Sequence, residues 1–161
     1  MPCDACARLL DELATSNDPN AELRDFFVPA KRETERQDLD SIARHFSQNS
    51  LTDIIASLEE AAAVDAFAAR TLATMKTRSP TSLHIAWREI SAGQTLSMDE
   101  CMKMEFRILN RMLAGHDFYE GIRAVIIDKG STPRWRPSKI EDISAADIDA
   151  YFAPLTRELE L

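Results

Sequence analysis

The chain has 161 residues, of which 45% are hydrophobic and 29% are charged, and its formal net charge is -8. This length and apolar content fit one globular domain and exclude a globally disordered chain. No apolar run approaches the ~20 residues of a membrane-spanning helix. The negative charge argues against general nucleic-acid binding. We therefore expect a soluble, cytoplasmic protein with neither a nucleic-acid nor a membrane partner.

In the first third of the chain, apolar residues recur at helical spacing and no segment alternates as a strand does. The pattern predicts helices over residues 4–15 and 37–46. A break at Asp18-Pro19 and an irregular, charged connection over residues 26–36 separate them. Another helix begins after Ser50, because a serine hydroxyl can accept a hydrogen bond from the free amides of a first helical turn.

The remaining two thirds are more regular. The predicted helices there cover residues 64–77, 80–93, 98–115 and 117–130, and a last short helix follows Ser144. Of these, 117–130 is the weakest, since Val125-Ile126-Ile127 has strand character. Residues 133–137 are predicted to be extended. The sequence thus predicts an all-α chain of about seven amphipathic helices.

Charge is distributed unevenly near the C-terminal end. Residues 123–139 carry five basic side chains against one acidic side chain, whereas residues 140–161 carry six acidic against one basic. The basic stretch is a candidate anion-binding site within an acidic protein. The alternative is a solvated loop whose cations pair with the acidic residues that follow.

The cysteines and histidines do not form a metal-ligand pattern. Cys3 and Cys6 make one Cys-x-x-Cys motif and Cys101 stands alone, whereas a structural zinc site needs about four ligands,. The three histidines, His45, His84 and His116, are far apart in the sequence. We predict free thiols and no metal site. The first five residues also lack the basic and apolar segments of a secretory signal.

Two acidic residues are candidates for acid–base chemistry. Glu105 shares a helical face with apolar residues, so its carboxyl could have a raised pKa and act as a general acid or base. The favoured interpretation is a structural ion pair with Arg88 or Arg123. Asp117 follows His116 directly, and we expect it to cap the next helix rather than to form a catalytic dyad.

Several short motifs resemble the C-terminal region of the 3-hydroxyisobutyryl-CoA hydrolases, a branch of the enoyl-CoA hydratase/isomerase (crotonase) superfamily. The resemblance covers about half the chain, roughly residues 71–154. Its most specific parts are Asp-Phe-x-Glu-Gly from Asp117, Asp128-Lys129, and Pro-x-Trp from Pro133. The motifs are, in order, Ser79-Pro80-Thr81-Ser82-Leu83, Leu96-Ser97-Met98-Asp99-Glu100-Cys101, Met104-Glu105-Phe106-Arg107, His116 to Ala124, Asp128-Lys129, and Pro133 to Pro137.

The resemblance implies that the chain is a C-terminal piece of a larger enzyme. Residues 1–64 would be a variable helical connection, and residues 65–161 the C-terminal helical region of the superfamily. In that family the oxyanion-hole amides and the catalytic carboxylates lie in an upstream β/α spiral domain, so the resemblance assigns no catalytic residue here. It implies hydrolysis of 3-hydroxyisobutyryl-CoA in valine breakdown by the parent protein, with coenzyme A as part of the substrate and no other cofactor.

The resemblance also implies where coenzyme A would be contacted. In the superfamily, the equivalent of the 118–129 helix lies near the nucleotide end of coenzyme A. Lys129 would meet a phosphate as a point charge, with Arg134 or Arg136 nearby, and Phe118 is the fourth candidate contact. Gly130 stands where the usual hydratase pattern has a second basic residue.

Two alternative functions stay open at this point. The parent could be a hydratase or isomerase of the same superfamily. The chain could instead be a free-standing helical module that binds a partner protein through exposed apolar stripes. If it is a fragment, its natural partner is its own N-terminal domain, and the isolated chain is expected to self-associate.

Overall fold

The computed structural model describes residues 5–26 and 34–161. The chain divides into two compact units, residues 1–36 and 37–161. Cys3 of the Cys-x-x-Cys motif lies outside the described residues, as does most of the connection predicted over residues 26–36.

The two described ranges contain nine α-helices and no strand, which confirms the predicted all-α class; the helices outnumber the seven expected. The helices are α1 Ala5–Thr15, α2 Pro19–Asp25, α3 Arg36–Phe46, α4 Leu51–Ala61, α5 Ala66–Met75, α6 Pro80–Gly93, α7 Met98–Ala114, α8 His116–Ile122 and α9 Ala145–Phe152. A π-helix, Arg123–Ile127, continues α8, and a 3-10 turn, Ile140–Asp142, precedes α9.

Side-chain caps fix where most of these helices begin. Ser50, Asp65 and Ser79 each accept hydrogen bonds from amides of the first turn, and Pro80 opens α6 where no intrahelical amide bond is needed,. Ser97 and Ser144 form complete capping boxes with the acidic residue three positions on. Each such cap stabilises its helix by about 1 kcal/mol, which is why the sequence located these starts well.

The helix α2 was not predicted. The Asp18-Pro19 pair does end the α1 segment, but Asp18 then accepts hydrogen bonds from the amides of Asn20 and Ala21, and Pro19 occupies the first helical position. A helix-stopping pair therefore also starts the next helix. In the same unit, the Arg8 guanidinium lies 4.7 Å from the centre of the Phe26 ring.

The segment after α8 differs from the single helix predicted over residues 117–130. After Ile122 the backbone widens into the π-helix, and the Asp128 amide donates to the Arg123 carbonyl at 2.7 Å. Val125, Ile126 and Ile127 are 63 to 70% exposed there. Single-turn π-helices are rare and occur frequently at functional sites.

Two apolar clusters hold the 37–161 unit together. In the first, Ile54 and Leu58 of α4 pack on Ala68 and Leu72 of α5, and Leu58 is fully buried. The domain boundary predicted between residues 64 and 65 falls between α4 and α5. The packing of these two helices does not test a family boundary, so the predicted division stays a prediction. The second cluster joins α6, α7 and α9 through Ile85, Met104, Ile108 and Ile148.

One face of α7 packs into the second cluster while another is left open. Met98, Met102, Leu109 and Leu113 are each between 41 and 75% exposed. None of the helices in the described ranges is long and apolar enough to cross a membrane.

Candidate functional site

The basic stretch, residues 123–139, lies directly after α8, on the π-helix and the loop that follows. Asp117 connects this loop to the rest of the fold, because its Oδ1 accepts from the Arg136 amide at 2.8 Å and its Oδ2 accepts from the Ser79 hydroxyl at 2.6 Å. The predicted capping role of Asp117 is wrong, since Gly115 is the N-cap of α8 and no side chain caps this helix. Its carboxylate serves a tertiary contact between the start of α6 and the loop.

Glu120 is the second anchor of the loop. Its carboxylate accepts two hydrogen bonds from the Arg123 guanidinium, at 2.6 and 2.8 Å, and one from the Arg134 amide at 2.7 Å. The bonds from Arg123, and next that from Arg134, lower the pKa of Glu120 to about 2. Glu120 is therefore ionised at neutral pH and holds the loop through charge-assisted bonds.

Arg123 is the one cation of the basic stretch that is neutralised within the described residues. Besides Glu120, its guanidinium donates to Asp128 at 2.7 Å and to Ser131 at 3.1 Å, and the contacts with Glu120 and then Asp128 raise its pKa. These partners lie in the same local segment, not in the acidic residues 140–161, so the predicted pairing with that tail is wrong for Arg123. The net positive charge of the stretch therefore belongs to Lys129, Arg134, Arg136 and Lys139.

Trp135 and His116 complete the attachment of the loop. The Trp135 indole N–H donates to the Thr77 carbonyl at 3.0 Å, and its ring lies against Gly121, where a Cβ atom would come within 3.5 Å of the ring. His116 Nε2 lies 3.0 Å from the Arg134 carbonyl oxygen. The motif residues that carry the family resemblance thus shape this loop.

The four predicted coenzyme A contacts occupy different parts of this region. Phe118 and Arg136 line the same pocket of about 40 Å³, which has room for little more than a water molecule,. Arg134 is exposed on the loop. Lys129 is exposed in a turn closed by the Ser131 amide and the Asp128 carbonyl, and the next residue, Gly130, has the positive φ of 86° that favours glycine,. The structure brings Phe118 and Arg136 together and shows no polar contact between them and Lys129.

Glu105 does not form the ion pair that the sequence favoured. Arg88 pairs with Asp149, and Arg123 pairs with Glu120 and Asp128. The neighbour of Glu105 is Glu89 of α6, and both line a groove of about 230 Å³ between α6 and α7.

The pKa of Glu89 is raised to about 7 by burial and, to a smaller extent, by its hydrogen bond and charge repulsion with Glu105. Glu89 Oε1 is buried without a hydrogen-bond partner in the part of the chain that the structure describes. Sequence reasoning missed Glu89, because only helix packing sets it opposite Glu105.

A buried polar cluster between α3, α4 and α5 was also missed. His45 is 2% exposed, its Nδ1 lies 2.8 Å from the Ser57 hydroxyl, and its Nε2 lies 3.6 Å from Asp65 Oδ2. The Ser41 hydroxyl donates to Asp65 at 2.8 Å, and this bond is the main cause of the lowered pKa of Asp65. Asp65 caps α5 as well, so this cluster ties three helices together. Across residues 5–26 and 34–161, no three His, Cys, Asp or Glu side chains are grouped as a metal site would require.

Comparison with known proteins gives the family. The model of the enoyl-CoA hydratase/isomerase family matches residues 1–152. The mitochondrial 3-hydroxyisobutyryl-CoA hydrolase of Xenopus laevis is 38% identical over 126 residues, which cover 78% of this chain and 32% of that protein. The Mus musculus protein of the same name is 33% identical over 157 residues, covering 91% of this chain and 40% of that protein.

Two solved structures also match this chain. The chain is similar to a carnitinyl-CoA dehydratase from Mycobacterium thermoresistibile, with a TM-score of 0.81 and 27% identity over 99% of this chain and 45% of that one. An enoyl-CoA hydratase from Rhodobacter sphaeroides gives a TM-score of 0.74 and 30% identity over 96% of this chain and 44% of that one. The chain therefore spans less than half the length of the relatives and structures it matches.

The comparisons contradict the cytoplasmic location expected from the sequence, because the curated relatives are named as mitochondrial proteins. Composition could not have decided this, since an acidic helical domain with free thiols suits any reducing aqueous compartment.

The family model extends over nearly the whole sequence, including the first 64 residues, where the resemblance of motifs was weak. Its match agrees with the motifs around α8 and with the likeness to two solved structures. The chain belongs to the enoyl-CoA hydratase/isomerase family.

Proposed function

We propose that this chain is the C-terminal helical part of a CoA-thioester hydrolase that acts on 3-hydroxyisobutyryl-CoA in valine breakdown. The observation that carries the proposal is the identity of 33 to 38% with proteins named 3-hydroxyisobutyryl-CoA hydrolase over 78 to 91% of this chain. The names of these relatives also support a mitochondrial location for the parent protein.

A hydratase or dehydratase is the second candidate, because the two matching solved structures carry those names. Their identity to this chain, 27 and 30%, is lower than that of the hydrolases. The two reactions differ in one measurable product, since hydrolysis releases the free thiol of coenzyme A and hydration leaves the thioester intact.

We propose that this chain binds coenzyme A and packs against the rest of the parent protein, and that it does not itself cleave the thioester bond. Thioester hydrolysis needs a group that activates water and donors that stabilise the oxyanion. Two carboxylates beside the basic stretch, Asp117 and Glu120, already accept hydrogen bonds from backbone amides, from Ser79 and from Arg123. The proposal gives neither of them a catalytic role and places the reactive groups in the part of the parent that this chain does not span.

Coenzyme A itself is proposed to meet the basic stretch. Lys129, Arg134 and Arg136 are exposed, and their side chains form no hydrogen bond or ion pair with any described residue, so they are available to phosphate groups. Phe118 lies beside Arg136. No cofactor beyond the coenzyme A of the substrate is required.

The proposed partners follow from the open apolar surface. The stripe of Met98, Met102, Leu109 and Leu113 on α7 is the kind of face that another part of the same protein covers,. We propose the parent's N-terminal domain as its occupant. An isolated chain is then expected to self-associate through the same stripe.

A chimera tests whether this chain can serve as the C-terminal part of a 3-hydroxyisobutyryl-CoA hydrolase, because the reactive groups then come from the Mus musculus relative. Residues 1–161 would replace the matching region of the Mus musculus relative, and thiol release from 3-hydroxyisobutyryl-CoA would be compared for the chimera and for this chain alone. The proposal expects release by the chimera and none by the chain. Enzyme-like release by the chain alone, or a folded chimera that releases no thiol, would contradict it. The complete parent protein separates the two candidates, since a parent that adds or removes water without releasing thiol would contradict the hydrolase assignment.

Lys129→Ala in that chimera tests the phosphate contact. An exposed ion pair is worth up to about 1 kcal/mol, so KM should rise up to about fivefold while kcat stays nearly constant. Lys103→Ala, which removes a lysine of α7, is the matched control and should leave KM unchanged. A fall in kcat alone would show that Lys129 does not bind phosphate.

A further inference from the structure

A cavity of about 240 Å³ lies between α4, α5, the start of α6 and the loop that follows Trp135. Its inner wall is apolar and is formed mainly by Ile55, Leu72, Met75, Leu83, Trp135 and Ile140. A dry apolar cavity of about 150 Å³ is large enough to bind benzene. This cavity therefore has room for a phenyl ring with a short substituent.

The rim of this cavity is charged. Lys76 Nζ lies 3.1 Å from Glu59 Oε1, so these two side chains neutralise each other. Arg78 and Lys139 also line the cavity, and neither side chain has a hydrogen-bond or ion-pair partner among residues 5–26 and 34–161. Glu141 is the remaining charged residue of the lining, and its charge is opposite to that of Arg78 and Lys139.

A neighbouring groove serves as an internal comparison. It measures about 410 Å³, shares Met75 and Leu83 with the cavity, and includes Trp87. Its lining contains no charged residue. Cationic side chains therefore line the cavity beside Trp135 but not the neighbouring groove.

Hydrogen bonds and close packing support the walls of the cavity. Trp135 is held by the Thr77 carbonyl and by Gly121, and the Ile140 carbonyl lies 3.4 Å from His84 Nε2. Pre-formed apolar pockets with a few polar groups at defined positions are typical of small-molecule sites.

We propose that this cavity binds a small amphipathic anion, with an apolar or aromatic body and one carboxylate or phosphate group. The body packs against Trp135 and the neighbouring aliphatic side chains, and the anion interacts with Arg78 and Lys139. The site includes Trp135 and Lys139 of the basic stretch but not Lys129, Arg134 or Arg136, so its test does not depend on those proposed coenzyme A contacts or on the hydrolase assignment.

Binding is measured on the 161-residue chain by amide and indole NMR, with phenyl phosphate and phenylacetate as complete probes. Benzyl alcohol and inorganic phosphate each supply half of the required chemistry. The proposal expects saturable shifts of the Trp135 indole and the Lys139 amide with one or both complete probes, and at least fivefold weaker binding of each half. Which probe binds more tightly identifies the preferred anion. Equal binding of benzyl alcohol, or shifts centred on the Trp87 indole, would overturn it.

Charge variants test the rim. Arg78→Gln and Lys139→Gln should each weaken binding about fivefold, and Glu141→Gln should strengthen it, because exposed ion pairs are worth up to about 1 kcal/mol. Arg44→Gln, at an exposed arginine of α3 outside the cavity, is the matched control for net charge. If Arg44→Gln weakened binding as much as Arg78→Gln, the effect would be general attraction and the site would be refuted.

Discussion

Replacing Glu89 by Gln should make the protein more stable at neutral and alkaline pH and leave its stability at acid pH unchanged. Glu89 is half-buried between α6 and α7 beside Glu105. Burial, and then the contact with Glu105, raises its pKa from 4.5 to about 7. Glutamine keeps the shape of the side chain but carries no charge.

The sign follows from proton linkage. Because the pKa is higher in the folded than in the unfolded protein, the protonated carboxyl stabilises the fold below pH 4.5, and this contribution is lost as the pH rises to about 7. The difference in pKa corresponds to at most about 3.4 kcal/mol. Glu89 is only half-buried, so solvent screens part of its charge, and we expect about 1 kcal/mol,.

Urea unfolding at intervals between pH 4 and 8 measures this effect. The free energy of unfolding of Glu89→Gln relative to the unmodified protein should increase by about 1 kcal/mol across that interval. Glu60→Gln, at an exposed glutamate of α4, is the control and should give a constant difference. A constant difference for Glu89→Gln as well, or a decrease with rising pH, would refute the reasoning.

Three further predictions concern the loop, the core and the open face. Glu120→Gln should speed hydrogen exchange of the Arg134 amide, because this amide donates its hydrogen bond to the ionised Glu120 carboxylate. In the unmodified protein, protection of the Arg134 amide should hold above pH 4.5 and decrease as the pH falls towards about 2, where Glu120 becomes protonated,. Leu58→Ala should lower the free energy of unfolding by about 2–5 kcal/mol, since Leu58 is fully buried, whereas Leu10→Ala, at a residue 67% exposed, should change it by less than about 0.5 kcal/mol; urea unfolding distinguishes them,. Sedimentation should show concentration-dependent association that Leu109→Gln weakens, and a strictly monomeric protein would contradict the proposed apolar contact,.

The family motifs around α8 could be recognised from the sequence, but most of their physical role could not. The Asp-Phe-x-Glu-Gly motif supplies two carboxylates that bind the amides of Arg136 and Arg134. These pairs are separated by 19 and 14 residues along the chain. No local pattern relates an acidic side chain to an amide at that distance. The basic residues could therefore be picked out along the sequence, and their joint role stays a prediction, while the groups that position the loop could not be found from the sequence.

The sequence alone determined the helical class and most helix starts, because caps and apolar periodicity act over three or four residues. Ser97 and Ser144 illustrate this, since each makes its capping box with a residue in the next turn. Tertiary structure decided which ionisable side chains are buried away from water and which of them come into contact. Glu105 faces Glu89 instead of an arginine, and His45 lies buried against Asp65, because helix packing places side chains together that are 16 and 20 positions apart. Desolvation and charge interaction depend on that spatial proximity, which no window of sequence records.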